Sequence, residues 1–182
     1  TVSPATTDGS TKEFTLTVTS SSTHKLPTAN VTVSLGGNPL TPGDATDGFS
    51  YSADNGTITI GSGVTINGAI EITAEAVALS SDATLSALTY SINSGNPVSI
   101  TVKDNIDDIS LDYDKTLEGK SIELVGTTTD PNAEITVNAG ATITSGTATA
   151  TVTVTAEDKT TKDYSVTFNV ANDVLATIVA PA

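Results

Sequence analysis

Apolar side chains recur at every second position of this chain in short runs, and Gly, Pro, Asn or Ser ends each run after roughly ten residues. The early runs are Phe14, Leu16 and Val18; Val31, Val33 and Leu35; Phe49 and Tyr51; Ile58 and Ile60; Ile70 and Ile72. Alternation of this kind puts one face of an extended strand into a core and the other into water. No sustained i, i+3, i+4 stripe competes with it, so the chain reads as all-β. Val, Ile, Leu and Phe together make 43 of 182 residues, enough for cores to form despite the charge.

The texture changes after "EITAEAVALSSD". Residues 1 to 77 carry two lysines against seven acids, whereas the rest carries five against fourteen, in longer and more regular strands. The predicted boundary lies near Ala78 to Asp82, giving a small β-sandwich domain over 1–77 with an N-terminal extension and a second over 78–182. The second set of runs is Leu88, Tyr90 and Ile92; Val98, Ile100 and Val102; Ile109, Leu111 and Tyr113; Ile122 and Leu124; Ile135 and Val137; Val152 and Val154; Val166, Phe168 and Val170. Seven short strands at this spacing predict a β-sandwich.

Within that second part, "ATLSALTYSI" and "TTTDPNAEITVNAGATITSGTATATVTVTAEDKTTKDYSVTFNV" resemble the cadherin-like β-sandwich repeats of bacterial surface proteins over residues 83–170. Their phrases are an "LSSLT" opening, a "DPNATVTVNG" middle and a "VTAEDGTTKTYTVTF" close. The residues agree with a sandwich: Asp130 and Pro131 can open a type I turn, and "TAEDKTTKDY" can join a hairpin. Lys159 stands where the repeat has Gly, which predicts a turn of different type or length there. Residues 28–77 resemble, more loosely, small β repeats of the same surface proteins. The resemblance implies two Ig-like or cadherin-like sandwiches in tandem within a secreted, multi-domain, non-catalytic protein.

Composition narrows the partners. Seven Lys, no Arg and 21 acids give a net charge of -14, which repels a phosphate backbone, so nucleic acid is excluded. There is no Cys for a disulfide or a thiolate zinc site. No run approaches the ~18 apolar residues of a membrane span, so no membrane insertion is expected. The chain starts with Thr rather than Met, as a processed chain or a piece of a longer one would. Its C-terminal "ANDVLATIVAPA" echoes the "SDATLSALTYSI" that opens the second part, as an apolar strand able to pair outside its own domain. The polar N-terminal "TVSPATTDGS" is expected to be tied down, as by docking on a neighbour.

Catalytic signals are poor. The single His24, in "SSTHKLPT", has no nearby His, Cys or paired acid, and reads as an ordinary exposed histidine. "LPTAN", residues 26–30, looks like a sorting signal but lacks the apolar segment and basic tail. Asn30 and Asn55 occupy N-x-T sequons. Lys12 is a conceivable donor for a Lys-to-Asn isopeptide bond, which needs a buried lysine beside Asn or Asp and an acid.

The feature with most chemical content is "DNIDDISLDYD", which places five aspartates in residues 104–114. In its second half Ile109, Leu111 and Tyr113 alternate inward, so Asp108, Asp112 and Asp114 are expected on the outer face of a strand. Outer neighbours there lie ~6.6–7 Å apart, too far for the ends to share one ion. In the first half a loop could fold Asp104, Asn105, Asp107 and Asp108 round one Ca2+. The competing reading is a solvated acidic patch.

These features together predict an extracellular, cell-surface structural protein that assembles with copies of itself or with adjacent surface-protein domains by terminal strand exchange. Alternatives are a spacer or stalk of a larger adhesin, and a calcium-assisted carbohydrate-binding module. The last needs an aromatic platform, and most of the seven aromatic residues fall on core-facing positions.

Overall fold

The computed structural model describes residues 2–3, 12–18, 21–138 and 141–172. The chain is all-β and divides into two compact units, residues 1–79 and 80–182. No α-helix occurs among the described residues. Of the two tails, Val2–Ser3 is described as a strand; the remainder of 1–11 and the apolar 173–182 lie outside the described residues.

Among the described residues the first unit contains nine strands: β1 Val2–Ser3, β2 Glu13–Leu16, β3 His24–Lys25, β4 Thr32–Leu35, β5 Asn38–Pro39, β6 Phe49–Tyr51, β7 Thr57–Ile60, β8 Ile70–Thr73 and β9 Val77–Ala78. They form sheets β1-β2-β7-β6 and β5-β4-β8 and the pair β3-β9. Phe14, Leu16, Val31, Val33, Phe49, Ile58 and Ile60 form one buried cluster to which both larger sheets contribute. The "GGNP" turn shows why the local sequence matters. Leu35 pairs with Asn38, and Gly36 and Gly37 between them have φ of +57° and +83°. A two-residue loop with both φ positive follows the twist of the strands, and glycine adopts it without a Cβ clash. Lys12, just before β2, donates from Nζ to the carbonyls of Gly61 (3.1 Å), Ser62 (2.9 Å) and Val64 (2.6 Å). All three ammonium donors are thus used to hold the segment after β7.

The second unit contains β10 Leu85–Ile92, β11 Val98–Ile100, β12 Ile109–Leu111, β13 Ser121–Thr128, β14 Glu134–Val137, β15 Ala141–Thr142, β16 Thr147–Thr155 and β17 Thr161–Val170, with a 3-10 turn over Lys115–Leu117. Two four-stranded sheets result, β11-β10-β13-β15 and β12-β17-β16-β14. Their apolar faces share one core in which Leu88, Ile122, Ile143, Val152, Val154, Val166 and Phe168 are almost completely buried. Tyr90 meets Phe168 edge to face with ring centroids 5.0 Å apart. The backbone N–H of Leu85 donates to the buried Tyr164 Oη at 3.2 Å, giving that hydroxyl a partner inside the core. Most pairing is antiparallel, but β12 runs parallel to β17, with Ile109 opposite Phe168 and Leu111 opposite Val170. The chain therefore leaves the first sheet after β11 and enters the second at β12.

On the outer face of β16 and β17, Thr149 faces Thr167, Thr151 faces Ser165 and Thr153 faces Asp163, with hydroxyl contacts of 3.4, 2.9 and 2.6 Å. β-branched hydroxyl residues suit this position: they fit the pleat and satisfy one another across the strands.

Two expectations change. Tyr113 is not a core residue of β12: the strand ends at Leu111, whose carbonyl accepts the Ala171 N–H at 2.8 Å, and Tyr113 is 49% exposed. Asp114 is correspondingly not on a strand face; its Oδ1 accepts from Thr116 N at 2.8 Å and caps the 3-10 turn. Lys159, in turn, keeps the backbone shape a glycine would take, with φ of +73°. The turn closes by Lys159 N donating to Ala156 O, Ala156 N to Thr160 O and Thr160 N to Asp158 Oδ1, and these bonds over-determine the strained residue. The Asp130 turn has the expected bonds, Ala133 N to Asp130 O and Asn132 N to Asp130 Oδ1, with no positive φ at Asn132.

Candidate functional site

The acidic segment is the passage between the two sheets of the second unit, residues 101–108, between β11 and β12. Ile106 is half-buried against the core and divides the polar positions around it. Asp104 Oδ1 accepts from Lys162 Nζ at 2.6 Å, near the start of β17. Asp107 pairs with Lys103 within the segment itself. Asp108 Oδ2 accepts from Asn169 Nδ2 at 3.2 Å, near the end of β17. Asn105 is exposed.

Three of the four residues expected to share a cation, Asp104, Asp107 and Asp108, are therefore turned toward separate partners. Asp107 and Asp108 line a shallow cleft of about 250 Å³ with Tyr90, Val98, Lys103 and Ile109, while Asp104 is engaged with Lys162. Among the described residues no group of three or more His, Asp or Glu is placed to hold a metal ion. Calcium takes six to eight oxygens, and two ammonium groups among these carboxylates compete with it for the same charge.

Electrostatics follow the contacts. The hydrogen bond from Lys162, and then its charge, hold the Asp104 carboxyl below its ordinary value. The same bond, with a smaller contribution from Tyr164, raises Lys162, whose Nζ lies 5.0 Å from the Tyr164 ring centroid. Asp114 is lowered chiefly by the N–H of Thr116, and Asp44, in the first unit, by the N–H groups of Asp47 and Thr46. In each case the carboxylate fixes a turn, a cap or a crossing.

Other candidate residues fall into ordinary surroundings. His24 stands in β3, half-buried, with Nδ1 2.9 Å from Thr23 Oγ1. In "LPTAN", Leu26 packs on the first core and Pro27 O accepts from Tyr51 Oη at 2.9 Å. Asn30 is exposed with φ of +60°, and Asn55 Oδ1 accepts from Thr57 N at 3.0 Å. Glu118 carries no motif that marks it in the sequence. It accepts from Ser145 N (2.9 Å) and Gly146 N (3.3 Å), a carboxylate seated on a two-residue turn whose φ values are +53° and +75°. The readable signal is the "SG" turn, whose outward N–H groups need an acceptor.

Compared with known protein families, curated proteins and solved structures, the chain matches none of them.

Proposed function

We propose that this chain is a non-catalytic, extracellular structural subunit of a cell surface or filament, built from two Ig-like or cadherin-like sandwiches and joined to its own copies by exchange of a terminal strand. For the second unit, the parallel pairing of β12 with the last strand, after a crossing between sheets, supports the Ig-like reading. The observation that carries self-association is the state of the sheet edges. The edge strands β11 and β14 carry the exposed apolar side chains Val98 and Val137, and Glu134 at the start of β14 is the one charged residue within either strand. Such edges are templates for an added strand.

Size-exclusion chromatography and electron microscopy of the chain with and without residues 173–182 test this. Concentration-dependent assemblies that need the tail support it, and assembly that survives removal of both tails sinks strand exchange. A spacer or stalk role is the second reading, favoured because each unit encloses its own core. It predicts a monomer and further repeats in the parent reading frame.

A further inference from the structure

Among the described residues of the second unit, one edge lacks a strand's worth of cover. β13 pairs with β10 along its whole length, yet on its other side the described residues of β15 pair only with Ser121 and Ile122. Among the described residues nothing pairs with that second edge of residues 123–128, an unsatisfied span of about 20 Å. The facing sheet shows the same gap. Val137 of β14 is opposite Val152 and Ile135 opposite Val154, both partners fully buried, so Ile135 and Val137 point to the core side. Ile135 approaches β13 at Gly126, where a Cβ added to the glycine would lie 3.3 Å from Ile135 Cδ1. Val137, beyond it, is 42% exposed, a core-facing valine with no strand above it among the described residues. On the outer face of the same edge stands Val125, 65% exposed.

We infer that residues 123–128 of β13, with Val137 beneath them, are the acceptor for residues 174–181 of a second copy of this chain. The inference rests on the strand-exchange reading above and names its acceptor. The donor "VLATIVAP" has no charged side chain and is apolar at most positions on both faces. That composition suits a strand with one face over Val137 and the other beside Val125.

The chain's own tail is too short. Ala171 continues β17, two strands from β14 in a sheet ordered β12-β17-β16-β14. Residues 173–182 span at most about 33–36 Å when extended. Two strand spacings and one sheet spacing consume about 20 Å, leaving less than the edge requires. A neighbouring copy meets no such limit.

The chain has no cysteine, so paired substitutions report contacts cleanly. Val125→Cys would be combined in turn with Leu175→Cys, Thr177→Cys and Val179→Cys in the full-length chain. Oxidation is expected to give disulfide-linked dimers and ladders, with Val98→Cys as the control on another edge. A second variant, Val137→Lys, puts a charge under the added strand; its exposed position should leave the melting temperature unchanged and weaken assembly at least about tenfold. Assembly that persists without cross-links to Val125→Cys, and is indifferent to Val137→Lys, overturns this acceptor alone. A monomer at every concentration overturns the self-association reading, and the acceptor with it.

Discussion

Lys162 Nζ stands 2.6 Å from Asp104 Oδ1 and 5.0 Å from the Tyr164 ring centroid, so one ammonium at the start of β17 holds both the sheet-crossing segment and the flank of a core aromatic. Its pH dependence has a definite sign. Asp104, depressed in the folded state, adds stability above its unfolded pKa of about 3.9 and loses it as pH falls through the lower folded value. Lys162, raised, adds stability below about 10.4 and loses it as pH rises through the higher folded value. Wild type should therefore melt above Asp104→Asn at pH 7, with the gap narrowing once pH falls below about 3.9 and closing below the lower folded value. Acid should still destabilise the variant, because Asp44 and Asp114 are also depressed. A gap that persists unchanged at pH 3 contradicts the ion pair's role.

Calcium should do little to the folded monomer. With Asp104, Asp107 and Asp108 turned to Lys162, Lys103 and Asn169, the melting temperature is expected to be the same in millimolar calcium as in chelator. Isothermal titration on the same sample checks it independently, and a saturable heat would restore the calcium loop.

Lys159→Gly should stabilise the second unit. The left-handed backbone costs a non-glycine residue about 1–2 kcal/mol, partly offset by the greater unfolded-state freedom of glycine. A net gain of about 0.5–1 kcal/mol, read as a higher denaturant midpoint at constant slope, is the expected outcome. A loss would mean that the lysine side chain itself supports the turn.

Lys12→Met should cost the first unit about 1–2 kcal/mol, since the carbonyls of Gly61, Ser62 and Val64 lose a charged donor while the aliphatic stem is kept. Hydrogen exchange resolved to residues 57–64 would place the effect. Unaltered protection there would show that water replaces the ammonium without loss.

Much of the fold was legible because strand alternation is a local property. Phe14 and Leu16, Val152 and Val154, and Val166 and Phe168 all lie buried where their period-two spacing puts them. Tyr113 broke the pattern because the extent of β12 is set by a distant partner: its pairing with β17 runs to Leu111, whose carbonyl accepts from Ala171, and Tyr113 lies beyond it. The Asp114 cap left a trace in "DKT", Asp two residues before Thr, but inside an acidic run it looked like one more carboxylate. The crossing segment was visible as an acidic loop and opaque as a mechanism. Nothing near Asp104 or Asp108 in sequence announces Lys162 or Asn169, and the partner of a carboxylate decides whether it seeks a metal or fastens a strand.

The parallel seam between β12 and β17 gives the second unit a preferred direction of strength. Ile109, Ser110 and Leu111 lie beside Phe168, Asn169 and Val170, with both strands running the same way. Tension that draws the start of β12 one way and the end of β17 the other slides the pair lengthwise, so its bonds must rupture together rather than peel one by one. The Asp104 and Asp108 contacts to the two ends of β17 brace that seam against the same pull. A module of this construction resists a pull along that seam more than a pull across it, a difference that a melting temperature does not report.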